Sequence, residues 1–351
     1  MRYAPPPREA ALLQPDDALA AWDLPRPPRP IPEPGLINQT FLVGDPPVAV
    51  LQRLNPVFAP TVNLEIDAVT RRLAETGLTT PRVVPTRTGA LWVDDEGASW
   101  RVLSFVPGRT LHRVTSTALA HEAGRYVGVF HAALDGWARQ RVAPRRDIHD
   151  TPARMRELHE ALAGADGHRL EGPARALGQE ILDDWDRWEG ALDLPERTCH
   201  GDLKISNLHF HPERDEVVCL LDLDTVGPMD LSCELGDAWR SWCNPGGEDD
   251  PAAARFDVDL FEASARGFLS TAPPLSDDER RALPAGPERI CLELAGRFCR
   301  DAVLNDYFRE DRARFPGVGD HNLHRARCQL ALARSARSVR ARCDAIVAAA
   351  G

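Results

Sequence analysis

The spacing of apolar residues changes about a third of the way along the chain. Before residue 110 they fall in short β-type runs, LINQTFLVG at 36–44 and PVAVLQRLN at 47–55, with Gly44, Asp45, Pro46 and Pro47 at the junction. This pair predicts a hairpin. Val62, Ile66, Val69 and Leu73 then recur at helical spacing across 60–76, and Gly77 supplies the stop. Further strands are expected at 82–86 and 90–94, and in WRVLSFVPG at 100–108. Upstream, residues 8–22 predict one or two short helices, and PRPPRPIPEPG at 25–35 predicts a stiff, extended connector. After residue 110, helical periodicity dominates at 117–134, 152–164, 172–191, 253–270, 287–308 and 322–349. The exception is a β island at 207–224 that includes VVCLLDLD.

Composition narrows the class. The chain has 351 residues, of which 43% are hydrophobic and 27% charged, as in ordinary globular proteins. Its net charge of -11 argues against nucleic acid or an anionic membrane surface as a partner. No apolar run approaches the roughly 18 residues of a membrane span, and MRYAPPPREA lacks the layout of a signal peptide. The eight cysteines form no CxxC and show no zinc-ligand spacing, so reduced thiols and a cytoplasmic location are expected.

One count changes the picture. Of 42 basic residues only Lys204 is a lysine, and it stands in CHGDLKISNL between Asp202 and Asn207. A lysine kept in an otherwise arginine-only chain points to a need for a compact, mobile ammonium. An Asp, a Lys two residues on, an Asn at +5 and a strand-terminal Asp222 at +20 form the set that phosphoryl transfer uses. Asp202 would align an attacking hydroxyl, Lys204 would neutralise the moving phosphoryl group, and Asn207 and Asp222 would hold Mg2+. His200 is expected to brace the loop, and Asp237 to support it from below.

With that motif, the element pattern predicts an α+β, protein-kinase-like two-lobe fold: a β-rich lobe with one main helix and a mostly helical lobe. The boundaries expected are 1–34 for an N-terminal helical and Pro-rich segment, 35–106 for the nucleotide lobe and 107–351 for the helical lobe. ATP is the expected phosphoryl donor. There is no GxGxxG and no P-loop, since Lys204 follows Leu203 and not a glycine. The candidate phosphate cover is GLINQTFLV, through Gly35, Asn38 and Thr40. Arg53, or the adjacent Gln52, would meet the α/β-phosphates, with Glu65 or Asp67 as the acidic partner. Ser104, Phe105 and Val106 would form the hinge that faces adenine.

HGDxxxxN followed by a strand-terminal Asp resembles the aminoglycoside phosphotransferase and choline kinase superfamily. GLINQTFLV, VLQRLNPVF, HDTPAR at 149–154, LDLDTVGP, ELGDAWR, GRFCRD, NDYF and HNLHRARCQLAL further resemble the bacterial N-acetylhexosamine 1-kinases, over residues 35 to about 335. HGDLKISN, ELGD and GRFCRD differ from the usual forms in that branch. The resemblance implies transfer of the ATP γ-phosphate to the anomeric hydroxyl of an N-acetylhexosamine or related hexose. It implies Asp202 as catalytic residue, Asn207 and Asp222 as metal ligands, and acceptor contacts from Thr225, Arg240, Arg297 and Asp301. Arg297 and Asp301, four apart on one helix, could equally form an intrahelical ion pair. The short segment from Asp222 to Glu234 favours a small acceptor over a peptide. Other acceptors remain open: an aminoglycoside, homoserine or a choline-like alcohol. A cationic acceptor would call for an acidic cluster, for which residues 248–250 and 183–184 are the candidates. A nucleotide-binding pseudokinase is the reading outside enzymes.

Overall fold

The computed structural model describes residues 13–31, 38–95, 97–137, 148–247, 250–308, 314–317 and 319–350. These fall into two compact units. One holds the described residues up to Glu75 and Thr79–Pro107, the other Thr76–Leu78 and those from Gly108 onward.

The first unit contains α1 (Pro15–Leu19), β1 (Arg29–Pro30), β2 (Gln39–Val43), β3 (Ala49–Leu54), α2 (Val62–Glu75), β4 (Val93–Asp95) and β5 (Ala98–Ser104). Its antiparallel sheet has the order β1-β2-β3-β5-β4. Register explains its two faces. Leu51 pairs with Phe41 and Val102, and Arg53 pairs with Trp100, so these side chains share one face. That face is buried against Leu19 and Trp22 of the N-terminal segment, and the Trp22 indole donates to Val84 O at 2.7 Å. Thr40, Gln52 and Arg101 share the opposite face, and Asn63 of α2 reaches Arg101 there at 3.4 Å.

Within the expected strand at 82–86 only an isolated bridge forms, Val83 to Leu103. Pro81 and Pro85 have no N–H to donate, so a continuous ladder cannot develop.

The second unit contains β6 (Arg109–Thr110), α3 (Thr117–Leu134), α4 (Thr151–Ala163), α5 (Glu171–Asp186), β7 (Glu196–Cys199), β8 (Leu208–Phe210), β9 (Val217–Leu220) and β10 (Gly227–Asp230). It continues through α6 (Leu231–Trp242), α7 (Val258–Leu269), α8 (Asp277–Ala282), α9 (Gly286–Leu304), α10 (Asp320–Ser338) and α11 (Arg340–Ala349). Helix α6 begins one turn before Glu234. Asp230 caps it, its Oδ1 accepting from Cys233 N at 2.9 Å. Helices α6 and α9 approach through glycines: a Cβ on Gly286 would lie 1.9 Å from Ser232 O, and one on Gly236 would lie 2.6 Å from Gly286. The helix expected over 322–349 is two helices, because Val339 at φ -110, ψ 5 leaves the helical region. All eight cysteines are free and buried, and burial pushes the Cys219 and Cys299 thiols up to about 12. No helix among the described residues is long and apolar enough to cross a membrane.

Candidate active site

The loop after β7 is fixed almost entirely by its own neighbours. Gly201 has φ +83, and a Cβ there would lie 2.7 Å from Thr225 O, so the bend needs glycine for both reasons. Glu234 of α6 sits beneath it, fully buried, accepting from His200 N at 2.7 Å and Gly201 N at 2.8 Å. His131 of α3 approaches the same carboxylate at 3.4 Å. Burial pushes Glu234 up, but His131, His200 and the two amides outweigh it and hold the carboxyl below its ordinary value. One helical repeat further along α6, Ser241 Oγ accepts from Ile205 N at 3.0 Å, and the Trp242 indole donates to Leu203 O at 2.8 Å. His200 Nδ1 accepts from Asp202 N at 3.3 Å, which leaves Nε2–H to donate to Leu221 O at 2.8 Å. His200 is therefore a brace, as its position suggested.

Asp202, Lys204 and Asn207 converge. Lys204 Nζ lies 2.5 Å from Asp202 Oδ2, and Asn207 Nδ2 donates to Asp202 O at 2.8 Å and to Oδ2 at 2.9 Å. Both side-chain bonds fall on Oδ2, which leaves Oδ1 open to an incoming hydroxyl among the described residues. Burial pushes the Asp202 carboxyl up, yet the Lys204 charge and hydrogen bond more than offset this and keep it below the usual carboxylate range. The same pairing acts on Lys204: burial lowers it, while Asp202 and then Asp222 raise it above its ordinary value. Asp222 is anchored beside the loop by its neighbour, since Leu221 N donates to Asn207 O at 2.8 Å. Its backbone is left-handed, φ 60 and ψ 57, a conformation that costs a non-glycine residue roughly 1–3 kcal/mol. Asn207 commits its amide nitrogen to Asp202, so its carbonyl oxygen is left for a cation. With the Asp222 carboxylate it would make an all-oxygen donor set of the kind that suits a hard divalent ion.

The other predicted residues separate. In the first unit Arg53 sits on the face covered by the N-terminal segment and pairs with Asp95 Oδ2 at 3.5 Å, not with Glu65 of α2. The strand pleat is the reason, since one residue's difference changes the face. Gln52 takes the α2 side, where its Oε1 accepts from Arg101 Nε at 2.9 Å and NH2 at 2.7 Å. The cation on that side is thus Arg101, 1% exposed, which the sequence reading did not identify. Asn38 ties strand ends together, Oδ1 accepting from Asn55 N at 2.9 Å, and Thr40 Oγ1 accepts from Gln52 at 3.3 Å. Gly35 lies outside the described residues. Ser104 and Phe105 spend their N–H groups inside the unit, on Arg82 O at 2.8 Å and Val48 O at 3.2 Å. Val106 follows β5 in irregular backbone.

In the second unit Thr225 donates to His200 O at 2.8 Å, which makes it part of the loop's bracing. Arg240 is buried against Asp237, NH2 to Oδ1 at 2.9 Å. Arg297 faces Glu293 at 4.0 Å, with the rings of Tyr307 and Phe308 at 5.3 and 5.5 Å. Asp301 is engaged by its own chain: its oxygens accept from the backbone N–H groups of Asp306, Tyr307 and Phe308, at 2.9, 2.9 and 2.8 Å, and from Asn322 at 3.0 Å. It caps the turn after α9, and the ion pair of Arg297 is with Glu293.

A profile of the phosphotransferase enzyme family matches residues 29–273. The chain belongs to the phosphotransferase enzyme family. Among curated relatives of this chain, the homoserine kinase of Phenylobacterium zucineum (strain HLK1) is 28% identical over 216 residues, 61% of each chain. The chain therefore spans 61% of the length of that relative. Two solved structures share its fold. A microcompartment-associated aminopropanol kinase has TM-score 0.61 and 18% identity, with 92% of this chain and 96% of that one covered. An amicoumacin kinase in complex with AMP-PNP, Ca2+ and Ami has TM-score 0.59 and 14% identity, with 89% and 90% covered.

Proposed function

We propose that this phosphotransferase is an ATP- and Mg2+-dependent kinase that phosphorylates a hydroxyl of a small metabolite. The first candidate is the anomeric hydroxyl of an N-acetylhexosamine or related hexose. The observation that carries the reading is the convergence of Lys204 and Asn207 on Oδ2 of Asp202, with Oδ1 left for the acceptor. Asp202 aligns the hydroxyl. The hydroxyl oxygen forms the new P–O bond, the bond to the ADP oxygen breaks, and the hydroxyl proton passes to the carboxylate. A carboxyl held below its usual range is a weak base, so proton transfer falls late, as suits a loose transition state. Lys204 neutralises charge on the transferring group. Asn207 and Asp222 would hold the divalent ion, which when bound supplies charge neutralisation at the phosphate oxygens. In the first unit Arg101, steadied by Gln52, is the cation that suits a nucleotide phosphate.

The sugar assignment is supported by the segments that resemble N-acetylhexosamine 1-kinases. Homoserine is the second reading, favoured by the identity to homoserine kinases. A coupled ADP-release assay with N-acetylhexosamines, hexoses, homoserine, choline and kanamycin separates them. Turnover of one acceptor, lowered 10²–10⁴-fold in Asp202→Asn with AMP-PNP binding retained, is the expected result. No acceptor-dependent ADP from the wild type would reject the kinase reading in favour of a nucleotide-binding module.

A further inference from the structure

Beside the catalytic loop lies a buried layer of charge built by α6, α9 and the segment before α4. Asp237 stands between Glu234 and Ser241 on one face of α6, and both of those side chains hold the catalytic loop. On α9, Glu293 accepts from Thr151 Oγ1 at 2.7 Å and pairs with His149 Nδ1 at 2.8 Å, and Arg289 Nε donates to that same threonine at 3.1 Å. Two atoms of this layer have no partner among the described residues: His149 Nε2 and Asp237 Oδ2. Both side chains are only 5% exposed. Leaving a buried polar atom unpaired is costly, so a site that keeps two of them beside a reactive loop is shaped for a ligand that pairs them.

We propose that His149 and Asp237 read the phosphoryl acceptor, and that the acceptor is an uncharged, polyhydroxylated molecule offering them one hydrogen-bond acceptor and one donor. This rests on the kinase reading above and deepens it. The Glu293 carboxylate can only accept, so His149 Nδ1 is its protonated nitrogen and Nε2 is the one turned to the ligand. Burial lowers His149, but Glu293 and Asp237 more than reverse this and hold it above its ordinary value, the direction in which Nε2 carries a proton to donate. Asp237 can only accept, from a hydroxyl or an amide N–H.

The charge balance disfavours a cationic ligand. Asp237 already faces Arg240 at 2.9 Å, Asp230 faces Arg289 at 3.2 Å, and Glu293 faces both His149 and Arg297. Among the described residues each of these acids already faces a cation, so the layer carries no surplus negative charge for an ammonium, although Asp237 Oδ2 still lacks a hydrogen-bond donor. Asp184, from one of the acidic runs a cationic acceptor would need, is consumed by Arg334 and Arg337, each at 2.6 Å. Residues 248 and 249 of the other run lie outside the described residues.

The test measures initial rates with N-acetylglucosamine, glucose, galactose, homoserine, choline and kanamycin as probes, for the wild type, His149→Ala and Asp237→Asn. A neutral sugar should be the preferred wild-type acceptor. Its KM should rise tenfold or more in each variant, while the KM for ATP stays within twofold. His149→Gln, which keeps a donor, should recover part of the loss where a purely structural histidine would show no such rescue. Thermal melting identifies any variant that does not fold, and the wild-type preference stands independently of the variants. A wild type that prefers homoserine, choline or kanamycin overturns this proposal and leaves the kinase reading intact. Sugar KM values within twofold of wild type in both variants overturn it as well. Absence of turnover with every probe rejects it together with the kinase reading.

Discussion

The loop after β7 and the sheet of the first unit solve the same problem, holding a cation against a side-chain oxygen, in opposite ways. In the loop, Asp202, Lys204 and Asn207 come from six consecutive residues, and their geometry follows from one left-handed glycine and a few backbone bonds. In the sheet, Arg101 and Gln52 are 49 positions apart and meet only because β3 and β5 pair in one register. The loop is local, so a change there acts on chemistry. The sheet pair is non-local, so a change there acts on binding and on folding together.

Four experiments test that contrast, in descending order of expected effect. Glu234→Ala removes the acceptor for two buried amides and strands His131, so it should cost about 3–5 kcal/mol in urea unfolding, the range for breaking a buried pair. If stability is unchanged, the loop is held by something other than α6. Lys204→Ala should lower kcat at least tenfold with little change in the KM for ATP, and Lys204→Arg should not restore it, because a planar fork cannot occupy the same point. Arg101→Met should raise the KM for ATP about tenfold, the loss expected when one charge-assisted hydrogen bond is removed, whereas Arg53→Met should leave it within twofold. The reverse ranking would mean that the pleat does not decide which arginine serves. The smallest effect is with pH. The folded-state carboxyl of Glu234 titrates below its ordinary value of 4.5, so its contribution to stability is full above about pH 4.5 and is lost as pH falls through the lower folded value. Glu234→Gln should flatten the acid limb of a melting-temperature profile.

How much of this was legible in the sequence follows the same divide. The helix at 117–134 was readable to the residue because Ser116 caps it and the apolar spacing is regular. The loop motif was readable because its parts are adjacent. Arg53 was chosen for its charge, but the face a strand residue occupies depends on register, and an error of one position moves it through the sheet. The break at Val339 carried no signal, since 322–349 contains neither glycine nor proline. His149 and Glu293 are separated by 144 positions, and nothing local marks either as the other's partner. Asp301 shows a further limit: helical spacing offered Arg297 as its neighbour, while Asn305 at φ 49 turns the chain back and delivers three amides instead.

The scarcity of lysine gives the site an unintended label. An amine-directed acylating reagent finds a single side-chain target in this sequence, and that amine is pressed against the Asp202 carboxylate. The rate at which such a reagent modifies Lys204 therefore tracks how often that contact opens. Mass spectrometry can then follow ligand occupancy of the loop without any engineered reporter.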